Sequence, residues 1–312
     1  MPSLISVSDP TPPPDLSPYL RVRAAIEQLA AATAPLPLQA LADAAGQSLF
    51  HFQRSFVGLA GVTPKEFAQA LSLERAKQSL AQADSVLEAA LAAGLSGPSR
   101  LHDLFLSLEG MTPGEFKQAG RGLSLQWTTT DTLLGPIWLA ASARGVLKLA
   151  FLQGSTPEQL LAAATEQLPE AHWTAAPQAL RGLTDELQRR FAGLKPQAPI
   201  SLVMSGTPLR LKVWQALLAI PEGQLRSYSQ LARLAGAPQA VRAVASCVAA
   251  NPIAYLIPCH RVIRANAEFG EYRWGPATKR ALIGLELARG DGAVNEVSAG
   301  FSDLSASATN SC

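Results

Sequence analysis

Apolar residues recur at spacings of three and four along two long parts of the chain, a period that predicts α-helices. The first part runs from residue 16 to residue 119 and the second from residue 207 to residue 290. Within the second part, residues 227–236 and 238–251 predict two helices joined at a glycine turn, with Pro238 placed to begin the second helix. This arrangement predicts a helix-turn-helix unit late in the chain.

The stretch between the two helical parts has a period of two. Residues 124–152 alternate apolar and polar positions, are rich in Thr, Trp and Val, and are interrupted by two glycine-containing turns. This pattern predicts a three-stranded antiparallel meander. Residues 157–168 and 177–193 predict helices, and residues 199–206 predict one more strand. We therefore expect a small α/β domain that supports its neighbours.

The first helical part contains an internal repeat. The segment HFQRSFVGLAGVTPKEF at residues 51–67 is matched 49 positions later by RLHDLFLSLEGMTPGEF at residues 100–116. A short helix and a turn precede each copy, with Gly46 and Gly94 at the two turns and Ser48 placed to cap the next helix. Two tandem helix-turn-helix units that each end in G-[VM]-T-P-x-E-F resemble the AraC-type DNA-binding domain.

This resemblance implies that the second helix of each unit, about residues 48–59 and 98–108, reads DNA. The exposed candidates near the starts of these helices are His51, Gln53, Arg54, Ser99, Arg100 and His102. Charge argues in the other direction, because residues 1–120 hold 8 Lys/Arg against 11 Asp/Glu, a net charge of −3. A scaffolding or regulatory role without sequence-specific DNA binding therefore stays open.

The positive charge of the protein lies near its C-terminal end. Residues 206–289 hold 11 Lys/Arg and 4 Asp/Glu, a net charge of +7, although the whole chain carries only +2. This part is the electrostatic candidate for contact with a phosphate backbone. A solvated basic surface with no partner is the simpler alternative, and charge alone does not decide between them.

Cys259 is the candidate nucleophile. It follows an apolar run and stands between Pro258 and His260. A reactive cysteine needs its thiolate form, and a neighbouring imidazole, cation or helix N-terminus lowers the pKa of the thiol. A lone cysteine is more often an inert buried residue, and adjacent side chains point apart. Any coupling of His260 to the thiol therefore requires a bridging water.

The ordered set of segments around Cys259 is more specific than the cysteine itself. SYSQLA, PQAVRAVA, NP, IPCHRVI and YRWG follow one another between residues 226 and 275. In this order and spacing they resemble the O6-alkylguanine-DNA alkyltransferase family over residues 123–290. The resemblance implies irreversible transfer of an alkyl group from guanine O6, and from thymine O4, to the Cys259 sulfur. It implies no cofactor.

The resemblance also assigns roles to the residues that match the family's pattern. Glu286 would hydrogen-bond His260, which would draw the proton from Cys259 through a water, as in a catalytic triad. Asn251 would orient this network. Tyr228 would donate to guanine N3 and stabilise the departing base.

Reaction at O6 also requires the base to leave the stack. Arg242 would occupy the vacated position, and small residues such as Ala243 would let its helix approach the minor groove. The other expected DNA contacts are Ser227, Arg261, Tyr272 and Arg273, with Tyr272 as a wall of the base pocket. Ala265, Ala267 and Glu271 stand where the family carries glycine, which puts the path of this loop and the substrate range in doubt.

The order of the two regions resembles the Ada family of bacterial proteins without its N-terminal zinc domain. Only three cysteines are present, none precedes Cys247, and no CxxC pair exists, so we expect no metal site. The resemblance implies an all-α AraC-type domain at residues 17–120, a ribonuclease-H-like α/β domain at 123–206, and a mainly helical, winged-helix-like domain at 207–290.

The remaining expectations concern location, partners and competing functions. We expect disordered ends at residues 1–16 and 291–312, no signal peptide or membrane span, and a cytoplasmic monomer that acts on double-stranded DNA. Promoter DNA is a second expected partner. Two other functions stay open, a damage-recognition protein or regulator that transfers nothing, and a cysteine hydrolase that would turn over repeatedly.

Overall fold

A computed structural model describes residues 17–32, 36–266 and 268–289 of the chain. The disorder expected at the two ends, and the expectation for Ala267, lie outside these described residues. Among the helices in the described ranges, none has the length and apolar character needed to cross a membrane.

The first part of the described chain is helical, as its period predicts. Its seven described helices are α1 (Ser17–Ala31), α2 (Leu38–Ala44), α3 (Leu49–Ala60), α4 (Pro64–Ala81), α5 (Val86–Ala92), α6 (Pro98–Glu109) and α7 (Pro113–Lys117). The pairs α2–α3 and α5–α6 are the two helix-turn-helix units, and the long helix α4 connects them. Ser48 caps α3 by accepting a hydrogen bond from the His51 N–H. The predicted double helix-turn-helix region is confirmed.

The repeated Thr-Pro-x-Glu sequence marks two helix starts. The Thr63 hydroxyl accepts from the Glu66 N–H at 3.2 Å, and the Glu66 carboxylate accepts from the Thr63 N–H at 2.8 Å. Thr112 and Glu115 make the same pair of bonds at 3.1 and 2.7 Å. Such reciprocal bonds satisfy two backbone donors that a helix N-terminus leaves free. They explain why α4 and α7 begin where the sequence repeats.

The elements of the middle part are β1 (Ser124–Thr132), β2 (Gly135–Ser142), β3 (Gly145–Phe151), α8 (Pro157–Gln167), β4 (His172–Ala175) and α9 (Arg181–Phe191). The four strands form one sheet with the order β3-β2-β1-β4. The first three strands form the predicted antiparallel meander, and β4 pairs in parallel with β1.

The predicted strand at residues 199–206 is wrong. That segment makes one bridge to β3, in which the Val203 N–H donates to the Val146 carbonyl at 2.8 Å and the Val146 N–H donates to the Ser201 carbonyl at 2.9 Å. Pro199 has no N–H to extend the pairing. The fourth strand is His172–Ala175 instead, which is short and mostly exposed and therefore lacks a clear periodic signal.

Gly145 allows this segment to approach β3 closely. A Cβ atom there would lie 2.5 Å from the Ser201 carbonyl oxygen, and the φ angle is +136°. We expect Gly145→Ala to lower the free energy of unfolding by about 3 kcal/mol, because the clash with backbone adds to the conformational strain. Gly135 is the matched control, since its φ is +98° but a Cβ atom added there would meet nothing within 4 Å. Gly135→Ala should cost about 1 kcal/mol in urea unfolding, and equal losses for both variants would contradict the close approach.

The last part is mainly helical. Its elements are α10 (Pro208–Leu218), β5 (Arg226–Ser227), α11 (Tyr228–Leu234), α12 (Val241–Ala249), the 3₁₀ turn η1 (Cys259–Arg261), β6 (Val262–Ile263) and α13 (residues 276–289). Helices α11 and α12 form the predicted third helix-turn-helix unit. Pro238 does not begin α12, however. It lies in a turn, and the helix starts at Val241.

The sheet and the last helices share one hydrophobic core. Buried residues of β2 and β3, such as Leu139 and Leu149, belong to the same cluster as Trp214 of α10, Val244 of α12 and Leu282 of α13. The boundary expected between residues 206 and 207 therefore lies between the sheet and the last helices, which pack against each other in this core. The division into domains stays a prediction.

The first part is docked on the rest through the carboxylates of the two repeated capping sequences. Lys212 of α10 pairs with Glu66 at 2.7 Å, and Arg144 of the β2–β3 turn pairs with Glu115 at 2.9 Å. Glu66 and Glu115 occupy equivalent positions in the repeat. Each of them thus caps its own helix and also holds a cation from the following parts of the chain.

Candidate active site

Cys259 begins the turn η1 and is only 4% exposed. The Asn251 Nδ2 atom donates to its Sγ atom over 3.1 Å. The same amide also donates to the Ile257 carbonyl at 2.9 Å and accepts from the Ile253 N–H at 2.9 Å. Asn251 follows directly on the C-terminal end of α12. It therefore ties the helix that carries Arg242 to the loop that carries the sulfur.

His260 and Glu286 form a buried pair behind the cysteine. The His260 Nε2 atom lies 2.7 Å from Glu286 Oε1, and both side chains are almost fully buried. Burial lowers the pKa of His260 more than Glu286 raises it, so the ring is neutral near pH 7. With Nε2–H donated to the carboxylate, the buried Nδ1 atom is the basic nitrogen, and it has no hydrogen-bond partner in the described structure. A basic nitrogen is therefore free to take up a proton.

Glu286 is also held by Arg261. The Arg261 Nε atom donates to Oε2 and Nη2 donates to Oε1, both at 2.9 Å, while Nη1 donates to the Ile220 carbonyl at 2.5 Å. Burial would raise the pKa of Glu286, but the hydrogen bonds from His260 and Arg261 lower it to about 2. The expected DNA contact of Arg261 is corrected, because its guanidinium points inward and holds the carboxylate.

The Cys259 thiol is protonated at rest. The sequence suggests a lowered pKa, but burial raises the pKa of this thiol, and the Asn251 hydrogen bond and the Lys279 charge offset only part of that effect. The flanking His260 does not supply a cation, since it is neutral. The thiol therefore needs a base at the moment of reaction, which agrees with the expectation that His260 draws its proton away through a water.

Lys279 is a residue that our sequence reasoning missed. Its side chain is 1% exposed, its Nζ atom donates to the Val262 carbonyl at 2.6 Å, and burial lowers its pKa to about 8. Its charge favours the thiolate form of Cys259. Lys279 and Glu286 are two helical turns apart on α13, so they share one face. The spacing of seven residues between Lys279 and Glu286 was the sequence signal that could have placed Lys279 at the site.

Two tyrosines lie near the sulfur. Tyr272 is 8% exposed, and its buried hydroxyl has no hydrogen-bond partner among the residues that the structure describes. Burial and the charge of a Cys259 thiolate raise its pKa well above the usual value. Tyr228 begins α11 and is half-buried, and the same two causes raise its pKa. Both hydroxyls therefore stay protonated and able to donate near the thiol.

The outer face of α12 has the character expected of a DNA-contacting helix. Arg242, Ala243 and Ser246 are exposed, while Val244 and Cys247 on the other face are buried. Apart from Arg242, the exposed side chains are small, so a nucleic acid backbone could approach closely.

The other expected contacts are arranged differently. The Ser227 hydroxyl caps α11 by accepting from the Gln230 N–H at 3.2 Å. Arg273 donates to the Asn251 carbonyl at 3.3 Å and its guanidinium lies 5.9 Å from the centre of the Trp274 ring. Ala265 and Glu271 are exposed. The DNA contacts predicted for Ser227 and Arg273 stay predictions.

In the first part, all the predicted reading residues are at the surface. His51, Gln53 and Arg54 are exposed on α3, and Ser99, Arg100 and His102 are exposed on α6. The sequence reasoning missed Phe50, which is 70% exposed at the start of α3, beside His51. Phe50 therefore lies on the same exposed surface of α3 as the predicted reading residues.

Two family models match the chain. Residues 208–288 match the model described as 6-O-methylguanine DNA methyltransferase, DNA binding domain. Residues 41–119 match the model described as a helix-turn-helix domain. The two matches coincide with the last and the first helical parts of the fold.

Similar proteins match either most of this chain or about half of it. The chain is 37% identical over 256 residues to the bifunctional transcriptional activator/DNA repair enzyme Ada of Escherichia coli K12, covering 81% of this chain and 71% of that protein. It is 38% identical over 165 residues to the methylated-DNA–protein-cysteine methyltransferase of Mycobacterium bovis, covering 53% of this chain and 94% of that protein. A crystal structure of Mycobacterium tuberculosis OGT in complex with DNA is 38% identical, covers 53% of this chain and 94% of that one, and gives a TM-score of 0.45.

Proposed function

The chain belongs to the Ada family, in which an AraC-type helix-turn-helix region precedes an O6-methylguanine DNA methyltransferase, and on this premise we propose that Cys259 is the alkyl acceptor. The protein repairs O6-alkylguanine in double-stranded DNA by direct transfer, once per molecule. The observation that supports this is the buried thiol bonded to Asn251, with a neutral His260 imidazole hydrogen-bonded to the Glu286 carboxylate beside it. We include O4-alkylthymine as a second substrate and propose a cytoplasmic monomer.

The first chemical step is removal of the thiol proton. The free Nδ1 atom of His260 accepts it through a water, and Glu286 stabilises the imidazolium that forms. The positive charge of Lys279 and the Asn251 amide stabilise the thiolate in its buried position. A general base of this kind contributes about 10²- to 10⁴-fold to a rate.

The second step is displacement at the alkyl carbon. A bond forms from the Cys259 sulfur to that carbon while its bond to O6 breaks, and the electron pair passes to the guanine. The base takes up a proton to become ordinary guanine. Tyr228, whose hydroxyl stays protonated near the sulfur, donates to the departing base. The product is a thioether, which has no proton to lose, so the site cannot act again.

Incubation with a duplex that carries O6-methylguanine tests this proposal. Intact-mass measurement should show the gain of one CH₂ group, as a methyl group replaces the thiol proton, and peptide mapping should place it on Cys259. The amount of repaired DNA should not exceed the amount of protein. Repeated turnover would favour a cysteine hydrolase, and an unchanged lesion with unchanged protein would favour a recognition protein that transfers nothing.

Arg242 tests the proposed extrusion of the base. We expect Arg242→Ala to slow transfer from a duplex by roughly ten- to a hundredfold, because extrusion costs a few kcal/mol and the side chain would fill the vacated stack. Transfer from a single-stranded oligonucleotide, which needs no such filling, should fall much less. The control is Arg233→Ala, which removes an exposed arginine from the neighbouring helix α11 and should leave transfer from both substrates unchanged. If Arg242→Ala slowed transfer equally on the duplex and on the single strand, this role of Arg242 would be contradicted.

We further propose that α3 and α6 bind promoter DNA. Their exposed polar residues support this role, as does the match of residues 41–119 to a helix-turn-helix domain. Arg54→Ala with Arg100→Ala should remove a footprint on the protein's own promoter region and leave transfer to Cys259 unchanged. A footprint that persists in this variant would favour a scaffolding role for the region.

A further inference from the structure

A cleft of about 680 Å³ lies where the three parts of the described chain meet. Its walls come from the turn between α6 and α7, from β3 and α8, and from α10 together with residues 273–274. Cys259, His260 and Glu286 are not among its lining residues. The volume falls within the range of small-molecule sites, so the cleft is a second candidate site, distinct from the sulfur.

Three cations on its walls have no carboxylate partner within residues 17–32, 36–266 and 268–289. They are Lys148 on β3, Arg210 on α10, and Arg273. The Lys148 Nζ atom donates only to the Gln167 amide oxygen, at 2.7 Å, and burial together with the nearby Arg273 charge lowers the pKa of Lys148. Other charges at the cleft are compensated, since Arg144 pairs with Glu115. The cleft therefore carries positive charge that its own walls do not neutralise.

The same walls also hold buried donors without acceptors. The Arg210 Nε–H and the Trp138 indole N–H are buried and make no hydrogen bond within the described structure. Trp138 is 1% exposed. Buried donors are paired in most proteins, and each unpaired one is unfavourable. Together with the uncompensated cations, they make the lining of the cleft suited to a ligand that accepts hydrogen bonds.

Aromatic and aliphatic side chains complete the cleft. The Arg210 guanidinium lies 5.9 Å from the centre of the Trp214 ring, and Arg273 lies at the same distance from Trp274. Leucines from β1, β3 and α8 supply further apolar wall. A ligand that matches these surroundings has one acidic head group and an apolar body.

We propose that this cleft binds an amphipathic organic anion. Its acid group lies among Lys148, Arg210 and Arg273, and its apolar body lies against the tryptophan and leucine walls. Because the walls belong to all three parts, the bound anion holds the first helical part against the others. The ligand thereby stabilises the docked arrangement of the AraC-type region, independently of the alkylation of Cys259.

Titration of the full chain with octanoate tests the proposal, with octan-1-ol as the uncharged probe. Calorimetry should show saturable binding of one octanoate per chain and at least tenfold weaker binding of the alcohol. Tryptophan fluorescence should change in parallel, because Trp138, Trp214 and Trp274 are three of the five tryptophans. Lys148→Met should weaken octanoate binding about tenfold or more without lowering the melting temperature, since it removes a partly buried, unpaired charge.

Arg181→Gln is the matched control. Arg181 is an exposed cation on α9 outside the cleft, so this change should leave octanoate affinity unaltered. Absence of saturable binding, equal affinity for the alcohol, or an unchanged affinity in Lys148→Met would overturn the proposal. A different outcome is that undamaged duplex DNA displaces octanoate and that Lys148→Met shows a lower salt dependence of DNA binding than the parent chain does. These two results would assign the cations to contact with a phosphate backbone and would also overturn the proposal.

Discussion

Cys259→Ala should lose alkyl transfer completely, while Cys247→Ala should retain it. The first change removes the sulfur that accepts the Asn251 hydrogen bond and whose thiolate form the Lys279 charge favours. Cys247 is buried on the inner face of α12, where burial raises the pKa of its thiol and the Arg210 charge offsets only part of that effect. In the intact-mass experiment, Cys259→Ala should gain nothing and Cys247→Ala should gain one CH₂ group.

The loss in Cys259→Ala must be chemical rather than structural for this interpretation to hold. The Asn251 amide keeps its bonds to the carbonyls of Ile253 and Ile257 when the sulfur is removed. We therefore expect the variant to fold and to bind O6-methylguanine duplexes as tightly as the parent chain. Any transfer by Cys259→Ala, or loss of transfer in Cys247→Ala at unchanged stability, would contradict the assignment of the acceptor.

The features predicted correctly from the sequence are those that local chemistry determines. Capping residues such as Thr63 and Thr112 act on atoms three positions away, so the repeat shows directly where helices begin. The β meander has a clear alternation and glycine turns. In contrast, β4 is four residues long and pairs with a strand almost 50 positions earlier, so its existence depends on the assembled sheet.

At the site, the residue types could be predicted but not their electrostatic state. Burial raises the pKa of Cys259, and burial depends on how η1 packs against α12 and α13. Arg261 was expected at the DNA, because a motif shows that an arginine is present but not which way it points. Lys279 stands in no motif, and only its helical spacing from Glu286 connects it with the site.

The docking of the first part shows how one local motif serves a long-range purpose. Glu66 and Glu115 cap their own helices, and Lys212 and Arg144 then use the same carboxylates as partners across the junction. A carboxylate already fixed by a cap loses little side-chain freedom when it pairs again. The repeat therefore supplies two equivalent attachment points as well as two helix starts.

Glu286→Leu should have the largest effect on the free energy of unfolding. The change leaves the His260 Nε2–H without its acceptor and the partly buried Arg261 guanidinium without its counterion. Removing one partner of a buried ion pair costs about 3–5 kcal/mol. Transfer should also fall by about 10²- to 10⁴-fold, because His260 no longer has a carboxylate to stabilise its charged form. Urea unfolding and single-turnover kinetics would measure the two effects.

The same carboxylate predicts how stability depends on pH. The folded pKa of Glu286 is about 2, below its ordinary value of 4.5. Its contribution is therefore complete above about pH 4.5 and is lost as the pH falls towards 2, since the unfolded chain binds the proton first. Glu286→Gln should lack this part of the acid dependence.

Glu268→Gln provides the control for both measurements, because Glu268 forms an exposed pair with Arg264 at 2.9 Å. Exposed pairs of this kind contribute at most about 1 kcal/mol, so this variant should unfold and react nearly as the parent chain does. If Glu286→Leu were no less stable than Glu268→Gln, the buried His260–Glu286–Arg261 arrangement could not be what holds the base in place. The proton path proposed for Cys259 would then have to begin at another group.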